Sequence, residues 1–317
     1  MSDEIIIPPS TTTSITPEVR VRSAQLLAGF LARYQSAESR KSMLASLRAI
    51  CQLYGPDARP EEMPWAEIQP EHAQAIRTKL AEKYAPASAR RHLSALKGLL
   101  REAWRAGAMS HEAYLRAADL APVKGSRLTA GRALTGAELD RMFAACGGWG
   151  PLLRDRHRAT LALGAYCGLR RAEIVSVERE HLRDDTLTVI GKGNKEREVP
   201  LARVARERLV PWLERRGTGP GPVLVTTHRG GHITETPLSV SAVVLCLQEI
   251  AEKAGVTDFS AHDLRRTFIT NLLGKGVDLR TVQRLAGHDD PMTTTLYDRS
   301  GLARAREAVE MLNPKEE

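Results

Sequence analysis

Residues 121–132, "APVKGSRLTAGR", constrain the fold more than any other stretch of this chain. A proline, two glycines, a serine and basic side chains interrupt the helical patterning found on either side, so no single helix or strand runs through them. The chain has 317 residues, enough for two domains that each bury a core. The segment therefore reads as a linker, with one domain at 18–120 before it and another at 133–317 after it. Residues 1–17, "MSDEIIIPPSTTTSITP", are rich in Ser, Thr and Pro and read as a flexible N-terminus.

The first domain reads as all-helical. Leu27, Phe30, Leu31 and Tyr34 form one amphipathic stretch, and Leu44, Leu47, Cys51 and Tyr54 another. In "ARRHLSALKGLLREAWRAG" the apolar stripe is Leu93, Leu96, Leu100 and Trp104, with Gly107 as a C-terminal cap. The same helix carries Arg90, Arg91, Lys97, Arg101 and Arg105. With a net charge of +8, these residues point to a polyanionic partner, although a solvated charged face accounts for the helix equally well. Lys124 and Arg127 in the linker extend the basic set. No apolar run approaches a membrane span and the N-terminus lacks the apolar stretch of a signal peptide, so the cytoplasm is the expected compartment. The four cysteines, Cys51, Cys146, Cys167 and Cys246, are scattered without a C-x-x-C pair, and read as buried apolar residues, neither zinc ligands nor disulfides.

The second domain reads as mostly helical with one strand episode. "LTGAELDRMF" opens it with Thr135 as N-cap. "TLTVI" (186–190) and "EREVPL" (196–201) flank the Gly-rich "GKGNK" and predict a β-hairpin, with "PVLVTT" (222–227) as a third strand. The fold class is thus mainly α with a small β-sheet.

"AHDLRRTF", residues 261–268, crowds a histidine and two arginines at the start of a helix. Ser260 and Asp263 make a capping box, and Leu264, Phe268 and Leu272 form the apolar stripe. His262 and Arg265 fall on roughly the opposite face, where helix N–H groups and the macrodipole already favour an anion. Arg170, in "YCGLRRAEIVSV", stands at a second helix N-terminus, and Lys192 sits at the hairpin tip. "LAGH" ends a helix at Gly287 with His288 just beyond, and "DDPMTTTLYDR" restarts with Asp290 as N-cap, Pro291 at N1 and Tyr297 late in a threonine-weakened helix. Singly, each reads as well in plain structural terms: a turn lysine, a packing tyrosine, an Arg170–Glu173 ion pair, a capping His288. Order and spacing taken together favour one site.

From about residue 133 to 300 the chain resembles the catalytic domain of the tyrosine recombinase (phage integrase) family. The resemblance is carried by "GLR" with Arg170, "GKGNKE" with Lys192, "HDLR" with His262 and Arg265, "GH" with His288, and "TTTLY" with Tyr297 nine residues further on. "GKGNKEREVPL" is similar to Xer-type members, and "ARRHLSALKGLLREAW" more weakly to the last helices of the family's core-binding domain. Arg266 stands where related sequences often carry histidine. The resemblance implies a two-domain DNA clamp, a helical core-binding domain joined to a catalytic domain, that exchanges DNA strands through a 3′-phosphotyrosyl bond. Arg170, Arg265 and His288 would hold the scissile phosphate, His262 would assist the Tyr297 nucleophile, and Lys192 would protonate the leaving 5′-hydroxyl. Glu173 would orient its helix or a nearby arginine.

Such chemistry requires neither a cofactor nor a metal. The expected partners are double-stranded DNA, contacted by Arg90, Arg91, Lys97, Arg101, Lys124 and Arg127, and further copies of the chain, a dimer per site and a tetramer in the synapse. A second recombinase or an accessory protein remains an open addition. Residues 300–314, "SGLARAREAVEMLNP", would form a helix that docks on a neighbouring protomer. Two rival readings stand beside this one. A metal phosphohydrolase would use His262-Asp263 and His288-Asp289-Asp290 as ligands, but Asp263 lies roughly 100° around the helix from His262 and is already engaged as a cap. A non-catalytic DNA-binding protein of the same fold would not need all six chemical positions.

Overall fold

The structure, a computed structural model, describes residues 16–125, 131–183, 185–191, 195–228 and 231–287. The chain divides into two compact units, Met1–Thr129 and Ala130–Glu317.

The first unit is helical: α1 (Pro17–Ala32), α2 (Ala37–Cys51), α3 (Pro70–Lys83), α4 (Pro86–Arg105) and α5 (His111–Ala118). Proline stands at the start of α1, α3 and α4, where its missing N–H removes no helical hydrogen bond. The long α4 is central. Its Ala89, Leu93, Leu96, Leu99, Leu100 and Ala103 are buried with Phe30, Leu47, Ile50 and Trp65. Gly107 follows it with φ +70°, the left-handed geometry expected of a cap. Residues from the sequence-predicted linker lie against α4: Val123 is buried, and Arg90 donates to the Val123 and Gly125 carbonyls.

The second unit comprises α6 (Gly136–Ala145), α7 (Pro151–Ala165), α8 (Arg171–Ser176), strands β1 (Leu182–Arg183), β2 (Thr186–Ile190) and β3 (Glu196–Pro200), α9 (Arg203–Arg216), β4 (Val225–Thr227), β5 (Ile233–Pro237), α10 (Val240–Lys253), α11 (Ala261–Gly274) and α12 (Leu279–Ala286). Thr135 caps α6 in a box with Glu138, whose carboxylate accepts from the Thr135 N–H at 2.9 Å. The β2–β3 hairpin pairs Thr186 with Pro200 through Ile190 with Glu196. Its third strand is the short β1, whereas the expected third strand pairs with β5 in a separate two-stranded ribbon. Alternation of apolar residues defines a strand without naming its partner, and Thr226 and Thr234 join their hydroxyls across the ribbon. The α7 helix, buried along Ala159–Ala165, packs against α9, α10 and α11, and so forms the floor on which the site is built. All four cysteines are buried free thiols. Among the described residues no helix is long and apolar enough to cross a membrane.

Candidate active site

The α7 helix ends at Ala165, and the chain reverses at Gly168, whose φ is +64°. Only glycine fits: a Cβ there would lie 2.8 Å from Phe268 Cε1. The turn delivers Arg170 to the N-cap of α8. The α11 helix starts on the foreseen capping box, with Asp263 accepting from the Ser260 N–H at 2.8 Å and its hydroxyl at 2.9 Å. The α12 helix ends at Gly287, φ +65°, as the "LAGH" segment predicts.

These three helix ends converge on one carboxylate. Glu173, 5% exposed, accepts from the Arg170 N–H and Nη1, both at 2.8 Å. Arg197 of β3 forks onto the same carboxylate at 2.9 and 2.8 Å and donates from Nε to the Leu285 carbonyl at 3.0 Å. Arg265 is 1% exposed; its Nη1 lies 4.0 Å from Glu173 and donates to the Gly168 carbonyl at 2.7 Å, and its Nη2 donates to the Ala286 carbonyl at 2.5 Å. Arg170 Nη2 reaches the Gly287 carbonyl at 2.6 Å. Burial alone would raise the Glu173 carboxyl, but the Arg197 fork, the Arg170 backbone N–H and the surrounding positive charge outweigh it and hold the group at about 2.

The arginines thus occupy different depths. Arg170 is partly exposed, whereas Arg265, which the sequence places on a face opposite the apolar stripe, is enclosed. The reason is packing on both sides of the helix: Asp263 through Ile269 are all buried in α11, so its polar face meets carbonyls rather than water. His262 remains accessible at the helix start. Desolvation by the protein around it, then the charges of Arg265 and Arg266, lower its pKa below the ordinary imidazole value; Asp263 opposes them. A neutral ring at neutral pH is the form that accepts a proton.

Asp263 is committed elsewhere. Beyond Ser260 it accepts from the Arg132 N–H at 3.0 Å, and both its oxygens face the chain's own donors. It is therefore poorly placed as a metal ligand, and the described residues contain no cluster of three or more metal-ligating side chains. Arg266, the local departure just after the "HDLR" motif, is buried and donates to the Gly131 carbonyl at 2.7 Å.

Lys192, His288 and Tyr297 lie outside the described residues, as do Arg127 and the segment 300–314. The hairpin turn nevertheless begins beside the arginines: a Cβ built on Gly191 would lie 3.7 Å from both Glu173 Oε1 and Arg197 Nη1. In the first unit, Arg90, Lys97 and Arg101 line an open groove of about 520 Å³ together with Arg33, Phe30 and Tyr34. Arg91 and Lys124 are exposed. Lys97 donates to the Leu120 carbonyl and Arg101 to the Tyr114 hydroxyl, so the groove's cations are oriented by the fold.

Sequence reasoning missed Arg197. Its signal was the two-residue strand period: it shares a face with buried Val199, and an inward arginine needs a carboxylate.

A helical unit with a small sheet thus sets two motif arginines, Arg170 and Arg265, beside the buried Glu173 carboxylate. The phage integrase family model matches residues 132–303. Tyrosine recombinase XerD of Pseudomonas aeruginosa is 36% identical over 241 residues, 72% of this chain and 75% of that protein. A lambda integrase dimer bound to a core site superposes with a TM-score of 0.63 at 20% identity, over 87% of this chain and 96% of that one. A lambda integrase tetramer on a Holliday junction gives 0.63 at 20% identity, over 88% and 76%. The chain belongs to the phage integrase family, among its Xer-like tyrosine recombinases.

Proposed function

We infer that this chain is a site-specific recombinase whose strand exchange runs through a 3′-phosphotyrosyl intermediate. The observation that supports the assignment of roles is the convergence of Arg170 and Arg265 at three helix ends, next to a histidine kept neutral. The Tyr297 phenol, with an ordinary pKa of about 10, attacks the scissile phosphorus as His262 takes its proton. The new bond is Tyr Oη–P and the broken one is P–O5′. Lys192 gives a proton to the departing 5′ oxygen. In the pentacoordinate transition state the non-bridging oxygens carry about two negative charges, which Arg170, Arg265 and His288 meet. Rejoining reverses the steps, so the bond energy is retained without ATP or a metal.

The unit at 18–120 would complete a clamp on duplex DNA, with Arg90, Arg91, Lys97, Arg101, Lys124 and Arg127 neutralising phosphates. Two protomers would occupy one site and four the synapse, with residues 302–317 of one docking on another. Such a protein works where the DNA is, in the cytoplasm on the nucleoid.

The test uses a nicked suicide duplex carrying a site that the protein selects from random DNA. The wild-type chain gives a covalent adduct that survives denaturant and persists in excess chelator. Tyr297→Phe binds the duplex with unchanged affinity and gives no adduct. An adduct with Tyr297→Phe would reassign the nucleophile, and loss of the wild-type adduct in chelator would return the metal reading.

A further inference from the structure

We propose that Arg197 is a positioning residue that offsets the charge of Glu173, so that Arg170 and Arg265 present their full positive charge to the scissile phosphate. The inference rests on the recombinase reading above. Glu173 is needed where it stands, because its carboxylate caps α8 through the Arg170 N–H and aims the Arg170 guanidinium. That carboxylate is also a liability, for it lies within 4.0 Å of Arg265 and 2.8 Å of Arg170, the two groups that would meet the anion. Unopposed, it would cancel one of their two charges. Arg197 is the third guanidinium on it, and its Nη1 and Nη2 each engage one of the two carboxylate oxygens.

The four groups together leave a net of two positive charges. A phosphodiester carries one negative charge, and the pentacoordinate transition state about two. Charge balance is therefore reached at the transition state, not in the ground state, which is the condition for rate acceleration. The Arg197 side chain is only 9% exposed, and its Nε is taken by the Leu285 carbonyl, so its own guanidinium points at Glu173 and not outward. An arginine suits this place better than a lysine, since a planar fork spans a carboxylate without rearrangement.

The experiment measures single-turnover cleavage on nicked duplexes with three scissile groups: an ordinary phosphodiester, a methylphosphonate, and a phosphodiester whose 5′-bridging oxygen is sulfur. Arg197→Gln should slow the ordinary substrate on the order of 10- to 100-fold, with duplex affinity close to wild type and the rates read below its thermal midpoint, which the loss of the ion pair lowers. On the methylphosphonate, whose transition state carries one negative charge fewer, the deficit should shrink to within a few-fold. On the sulfur substrate it should persist in full, because the leaving group is not what Arg197 serves. Arg197→Lys keeps the charge and should lose much less rate than Arg197→Gln, which also covers the case in which the glutamine variant folds poorly.

Equal deficits on all three substrates would mean a merely structural residue and overturn the proposal. Selective recovery on sulfur would assign Arg197 to the hairpin and its acid instead. A lysine variant as slow as the glutamine one would also overturn it. Failure of the recombinase reading is seen separately, as absence of the wild-type adduct on the ordinary phosphodiester.

Discussion

Glu173 is where a one-residue change would reach furthest. It is buried, ionised and shared by Arg170, Arg197 and, at longer range, Arg265. Replacing it with glutamine leaves three guanidiniums facing one another without an anion. Removing one partner from a buried charged cluster typically costs about 3–5 kcal/mol. Glu173→Gln should therefore lower the unfolding free energy of the second unit by an amount in this range and abolish adduct formation, while Glu173→Asp, shorter but charged, should fall between it and wild type. Equilibrium unfolding followed by far-UV circular dichroism checks the first statement and the suicide-duplex assay the second. The sequence had offered Arg170 and Glu173 as an ion pair, and that pair is present. The sequence could not show that the same carboxylate also holds Arg197, 24 residues away on a strand.

At the scale of elements, local signals were legible and pairing was not. The N-cap of α6, the capping box of α11 and the glycine that ends α12 depend on residues within one turn, so their spacing is visible in the string. The β2–β3 hairpin also follows from alternation around a Gly-rich turn. The partner of β4 does not, because register and neighbour are chosen by tertiary packing. The depth of Arg265 was hidden for the same reason: its surroundings are carbonyls from Gly168 and Ala286, which spacing along α11 cannot reveal. That dependence makes the Gly168 turn a sensitive element. Gly168→Ala would add a Cβ in a left-handed conformation, 2.8 Å from Phe268, and displace the carbonyl that holds Arg265. It should destabilise the unit by about 1–3 kcal/mol and reduce cleavage more than tenfold. Gly136→Ala, which meets nothing within 4 Å at the start of α6, should leave both stability and cleavage unchanged. Parallel unfolding and cleavage measurements on the two variants separate turn geometry from a general intolerance of alanine.

For the whole molecule, the two-unit organisation is paralleled by the break in patterning at 121–132, and the buried titratable groups set how the fold responds to acid. His157 is 3% exposed and packs edge-on against Trp149. Burial, then the nearby charges of Arg156 and Lys253, hold its pKa at about 4, against 6.5 for an exposed ring. The unfolded chain therefore takes up this proton below about pH 6.5 while the folded chain does not, so stability falls as the pH drops from 6.5 to 4. The loss is at most about 3 kcal/mol. Glu173 adds to it at lower pH, as its contribution disappears between about 4.5 and 2. Urea midpoints of the second unit measured from pH 7.5 to 4.5 should fall for the wild-type chain and fall less for His157→Gln. A wild-type midpoint flat across this range would show that His157 is not held neutral.

The start of the second unit has a consequence for how such a chain can be cut and rejoined. Gly131 receives Arg266, the Arg132 N–H is bound by Asp263, and the Leu134 N–H by the Thr267 hydroxyl at 2.8 Å. Three of four consecutive backbone positions are thereby stitched to α11, the helix that bears His262 and Arg265. A hybrid protein that exchanges the first unit at 129–130 retains all three stitches. One spliced after 134 substitutes foreign residues into them, and any side chain or backbone angle that fits poorly there loosens the first turn of the helix holding His262. For modular engineering, the usable seam lies before Gly131, inside the segment that composition alone would treat as interchangeable from end to end.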